Sequence, residues 1–127
     1  MLQVRLTNRR PIAINEDLWP IIAEAKREWY NSQHKFQATR WWTSEISVRR
    51  HKDDGRAIVS ASYCYRTQWA EERDEEVHRG EILPSGSDMS AVEEAIRRVC
   101  NDLSESGAKE VGHLQDECLA SLPAERV

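Results

Sequence analysis

Apolar residues alternate with polar ones at the start of the chain. Leu2, Val4 and Leu6 share one face, and Ile12 and Ile14 repeat the pattern after Asn8-Arg9-Arg10-Pro11. This period of two predicts two short strands around a turn. The period then lengthens. Leu18, Ile22, Ala25 and Trp29 fall at i, i+4, i+7 and i+11, with Glu24, Lys26, Arg27 and Glu28 off the stripe, which predicts an amphipathic helix to about Tyr30. Asp17 is its expected N-cap, because Pro20 lacks an N–H and is tolerated only in a first turn. Residues 31–40 are polar, have no clean period and read as a loop.

The segments Trp41–His51 and Arg56–Thr67 flank Asp54-Gly55, a dipeptide that supplies the positive φ angles of a two-residue hairpin turn. Such a turn pairs residues whose numbers sum to 109, setting Val48 opposite Ala61, Ile46 opposite Tyr63 and Ser44 opposite Tyr65. Trp42 and Val59 join that apolar face. The reverse face carries Thr43, Glu45, Ser47 and Arg49 against Arg66, Cys64, Ser62 and Ser60. A further strand is expected at Val77–Leu83, ended by Pro84. Met89, Val92, Ile96, Val99 and Leu103 then repeat at steps of three and four, the buried stripe of a helix capped by Ser87, Asp88 or Ser90, the last in a capping box with Glu93. Gly107 is a plausible stop. A last helix is expected at about Lys109–Leu122, with Val111, Leu114, Cys118 and Leu122 inward. These elements predict an α+β fold in which an antiparallel sheet of about four to five strands, centred on the Asp54-Gly55 hairpin, carries about three helices on one face.

At 127 residues the expectation is a single domain over 1–127. Mean hydropathy is −0.73 and no apolar run approaches the ~18 residues of a membrane span. With no secretory pattern at the N-terminus, a cytoplasmic protein is expected. Cys64, Cys100 and Cys118 are odd in number and widely spaced, which fits reduced thiols. The net charge of −4 conceals a gradient: residues 1–52 carry ten Lys/Arg against five Asp/Glu, and residues 53–127 carry eight against seventeen.

Catalytic and metal-binding signatures are sparse. No paired C-x₂-C or H-x₃₋₅-H ligands occur, and His113 and Cys118 point apart on a helix, so neither metal nor cofactor is expected. His34, His51, His78 and His113 offer bases, yet no nucleophile elbow or phosphate loop accompanies them. A small enzyme with a His/carboxylate site is therefore a third reading, and the chain is read as not an enzyme. In a second reading Lys35, Arg40, Arg49 and Arg50, with an exposed Trp41, neutralise phosphates and stack bases. The leading reading uses Trp69-Ala-Glu71-Glu72-Arg73-Asp74-Glu75-Glu76, five carboxylates in six positions after a tryptophan. There Glu71, Glu72, Asp74, Glu75 and Glu76 form an acidic docking strip for a basic partner and Trp69 is the anchor.

The words Arg5-Leu-Thr-Asn-Arg-Arg-Pro-Ile12, Leu18-Trp-Pro-Ile-Ile-Ala23, Val48-Arg-Arg-His-Lys-Asp-Asp-Gly-Arg56, Gly80-Glu-Ile-Leu-Pro-Ser-Gly-Ser-Asp88 and Leu122-Pro-Ala-Glu125 resemble a family of small uncharacterised proteins encoded by bacteriophages and prophages. The likeness spans nearly the whole chain and brings no active-site residue with it. It implies a bacterial cytoplasm and an accessory role in which a host protein is bound or blocked, as anti-CRISPR proteins do to a defence complex.

Overall fold

The computed structural model describes residues 1–124. Its order is β1 (Leu2–Val4), β2 (Ile12–Ile14), β3 (Ile21–Tyr30), a 3₁₀ turn at Lys35–Gln37, β4 (Arg40–Arg50), β5 (Ala57–Thr67), β6 (Glu75–Leu83), α1 (Met89–Glu105) and α2 (Val111–Ser121). The fold is α+β. β3-β4-β5-β6 make a four-stranded antiparallel meander, and β1 and β2 pair separately. Two helices, not three, pack on the meander.

The missing helix is β3. Ala, Glu, Lys and Arg favour a helix locally, but Ala23, Ala25, Arg27 and Trp29 also alternate with Glu24, Lys26, Glu28 and Tyr30. Pairing along β4, Ala23 with Val48 through Tyr30 with Trp41, makes that shorter period the one that is used. Ala23 and Ala25 enter the core. Asp17 caps no helix: its N–H donates to Asn15 Oδ1 at 3.0 Å inside a turn.

The central hairpin turns through four residues. His51 N–H donates to Arg56 C=O at 2.8 Å, and Gly55 takes a left-handed φ of 73°. Paired numbers therefore sum to 107, with Val48 opposite Val59, Ile46 opposite Ala61 and Ser44 opposite Tyr63. The expected register is off by two. An even shift leaves every side chain on its expected face, so Ser44, Ile46, Val48, Val59, Ala61 and Tyr63 are buried as the alternation requires.

Helices cover this face. Asp88 Oδ1 caps α1, accepting from Ala91 N–H at 2.8 Å, and Gly107 terminates it at φ 100°. Val92, Ile96, Val99 and Leu103 of α1 meet Leu114 and Cys118 of α2 in the main core. On the other face, Val4, Leu6, Ile14 and Trp19 form a second small core over Ile58. Among the described residues no helix is long and apolar enough to cross a membrane.

Burial pushes the Cys100 thiol, beside Cys118, up to about 12 and that of Cys118 up to about 11. Both thiols are thus protonated and shielded at neutral pH. Iodoacetamide at pH 8 is expected to leave Cys100 and Cys118 unmodified in the native protein and to alkylate both in urea. Peptide mass mapping reads the difference.

Candidate partner-binding end of the sheet

One end of the meander gathers most of the large aromatic side chains. Of nine aromatics, Trp29, Tyr30, Phe36, Trp41, Trp42, Tyr65 and Trp69 all lie at the ends of β3, β4 and β5 or in the two loops beyond them. Cross-strand pairing explains part of this. Trp29 pairs with Trp42 and Trp42 with Tyr65, so three rings form a row on the helix-bearing face. Trp29 and Trp42 stack with centroids 6.1 Å apart and planes 3° apart, and Tyr65 lies 5.4 Å from Trp42. This row stiffens the end of the sheet.

The loops are tied to each other. Gln68 N–H donates to Thr39 C=O at 3.0 Å, which sets the 31–39 loop beside the 68–74 loop. Asn31 bridges the first loop, its Oδ1 accepting from Thr39 N–H at 2.9 Å and Arg40 N–H at 3.1 Å. Trp41 Nε1–H donates to Lys35 C=O at 2.9 Å, fixing the 3₁₀ turn that holds Phe36 outward. Phe36 is 99% exposed and Trp69 is 42% exposed.

Glu72 is the clasp between these loops. Its carboxylate accepts from Arg40 Nε at 3.0 Å, Thr67 Oγ1 at 2.8 Å and Tyr65 OH at 3.2 Å. Arg40, with Thr67 and Tyr65, holds the Glu72 carboxyl below its ordinary value of 4.5. A carboxyl depressed in the folded state contributes stability that is present above the unfolded value and lost as pH falls through the folded one. The clasp is therefore expected to hold at neutral pH and to release only in acid, as pH falls below the ordinary carboxyl value. Tryptophan fluorescence followed through an acid titration checks this, and Glu72→Gln should remove the part of the transition that belongs to the clasp.

The rest of the acidic strip divides in use. Asp74 Oδ1 accepts from Thr67 N–H at 3.0 Å. Glu76 accepts from Arg66 at 3.5 Å and meets His78 Nε2 at 2.8 Å, and His78 draws its carboxyl down. Glu71 and Glu75 are exposed and, among the described residues, sit in no ion pair. The docking strip thus reduces to Glu71 and Glu75 at a rim, with Glu72, Asp74 and Glu76 holding the strand ends.

The basic set is not brought together. Lys35 pairs with Glu28 at 2.7 Å and lowers its carboxyl. Arg40 is held by Glu72. Arg49 donates to Trp19 C=O at 2.9 Å and Arg50 to Gly55 C=O at 3.1 Å and to Ser87 C=O. Arg40 and Arg50 bound the 11-residue β4, which sets them roughly 30 Å apart. Trp41 is half-buried, not exposed.

Histidines likewise meet no activated nucleophile among the described residues. His51 Nδ1 accepts from Asp53 N–H at 3.1 Å and Asp54 N–H at 3.3 Å, and its ring packs on Trp19. His78 sits opposite Ser62, but the Ser62 hydroxyl donates to Glu45. Cys64 faces Glu76, and burial raises its thiol, the opposite of what a thiolate nucleophile needs. Cys118 is buried whereas His113 is exposed beside Glu110.

Phe36, which the sequence sets in the aromatic and basic mixture of residues 30–42 and outside the acidic strip, is an exposed anchor. Its signal was a lone aromatic inside an aperiodic polar loop, where no core stripe claims it. No family model matches the chain, and no curated protein or solved structure matches it.

Proposed function

We propose that the chain is a non-enzymatic protein-binding module that uses this aromatic and acidic end. The observation that carries the proposal is Phe36, held almost fully in water on a loop that the Gln68 N–H to Thr39 C=O bond ties to the loop bearing the half-exposed Trp69. Burying such a ring recovers about 2 kcal/mol. Large aromatics on a stiff support, ringed by charge, are the usual make-up of an interface centre. Glu71 and Glu75 at the rim favour a partner with a basic surface and steer its approach.

A nucleic-acid partner fits less well, because Lys35 and Arg40 already spend their charge on Glu28 and Glu72. The resemblance to phage and prophage proteins extends the proposal to a host protein in a bacterial cytoplasm, such as a component of a defence complex.

Capture from bacterial lysate tests this reading with three tagged proteins: the parent, Phe36→Ala/Trp69→Ala and Glu71→Lys/Glu75→Lys. The parent is expected to retain a protein that the aromatic variant loses at least tenfold, in line with hot-spot values of about 2 kcal/mol. The charge variant should lose it most at low salt. Equal capture by all three, recovery of nucleic acid alone, or no partner would overturn the proposal. Reversing Glu72 instead would confound the test, since it breaks the clasp.

A further inference from the structure

The sheet face turned away from the helices carries a groove of about 690 Å³, remote from the aromatic loops. One wall is β1. Four consecutive residues, Leu2, Gln3, Val4 and Arg5, line it, so the wall is an edge of the extended chain and not one of its two faces. β2 occupies the opposite edge. Among the described residues, no backbone hydrogen bond joins residues 2–5 to any other element; Thr7 N–H is the next to do so, donating to Gly80 C=O at 3.0 Å.

The floor is low and polar. Ser47 lies opposite Ser60 and Glu45 opposite Ser62, with no bulky side chain between them. It reaches from Lys26 on β3 to His78 on β6, a width of four strands, or roughly 14 Å. That is the length of about four extended residues. Cations stand at both ends: Lys26 on β3, and Arg5, which shares a second hollow with His78 on β6. Both are exposed and neither is in an ion pair among the described residues. Glu24 and Glu45 also line the groove, and Arg49 is already paired with Glu16 at 3.7 Å, so Lys26 and Arg5 are its cations open to a ligand.

We propose that this groove takes an extended acidic peptide segment of another protein, which adds to β1 as a third strand across the serine floor. Main-chain hydrogen bonds to the β1 edge supply the affinity. The serines admit small side chains, and Lys26 and Arg5 receive a carboxylate at each end. A two-stranded ribbon is marginal on its own, so a third strand also stiffens the N-terminal hairpin.

Fluorescence polarisation with labelled Glu-Val-Ser-Val-Glu, and with the best binder from a random heptapeptide library, tests the proposal. Binding is expected to fall at least tenfold in Ser62→Trp, which fills the floor, and in Arg5→Glu/Lys26→Glu. It should fall equally when the valine nitrogens of the pentapeptide, or alternate nitrogens of the library binder, are methylated. Phe36→Ala/Trp69→Ala should bind the peptide like the parent, which separates this site from the aromatic end. Ser62→Trp is checked by circular dichroism, and the methylated peptide gives a reading independent of any variant's folding. Failure of the pentapeptide and of every library member to bind, or undiminished binding of the methylated peptide, would overturn the proposal.

Discussion

Ile96→Ala is expected to destabilise the protein by about 3 kcal/mol. Ile96 is 0% exposed at the middle of α1, within the core that joins α1 to β5 and α2. Removing three of its carbons forfeits their transfer from water and leaves a cavity, and fully enclosed sites collapse least. Urea unfolding at constant slope is the measurement, read as a shift in midpoint. Ile22 provides the contrast. It packs against the same core only in part, so Ile22→Ala should cost roughly 1 kcal/mol.

Gly80→Val is expected to cost about 3 kcal/mol and to detach the N-terminal hairpin from the sheet. A Cβ at position 80 would lie 2.6 Å from Val59 C=O and 2.8 Å from a Leu6 methyl. Leu6 can shift, but the carbonyl is a rung of the β5–β6 ladder and cannot move without breaking it. Thr7 bonds Gly80 twice, through its own N–H to Gly80 C=O and from Gly80 N–H to Thr7 Oγ1 at 2.9 Å. The same substitution therefore strikes the strand and, among the described residues, the only backbone tie of the hairpin to it. Proteolysis within residues 1–15 should accelerate more than global unfolding does, and the emission of buried Trp19 should shift toward that of an exposed ring.

The contrast between β3 and the central hairpin shows what local pattern can carry. Around Asp54-Gly55 the period of two and the turn chemistry agree, and even a wrong turn length preserved the faces because the slip was even. Along Ile21–Tyr30 two periods coexist. Helix propensity favours one, while the pairing of nine residues with β4 and cover from α2 enforce the other. Neither influence lies within the segment itself.

The aromatic end was partly legible. Trp69 and its carboxylates stand out in composition, yet which of them are occupied depends on partners distant in sequence. Arg40 and Glu72 are 32 positions apart, and nothing in either neighbourhood announces the clasp. The proposed basic set failed for the same reason, since Lys35, Arg40, Arg49 and Arg50 each end on a carbonyl or carboxylate that only the fold supplies. The groove along β1 was not legible at all, because it arises where a three-residue strand crosses another sheet.

Photo-crosslinking tests the binding role of the aromatic end most directly. p-Benzoylphenylalanine is placed at position 36, at position 69, or in place of the exposed Arg97 on α1, and each protein is irradiated in lysate. Crosslinks to one protein from positions 36 and 69, with none from 97, are expected. Crosslinks chiefly from 97, or none from the two loop positions, would contradict a binding role for this end of the sheet.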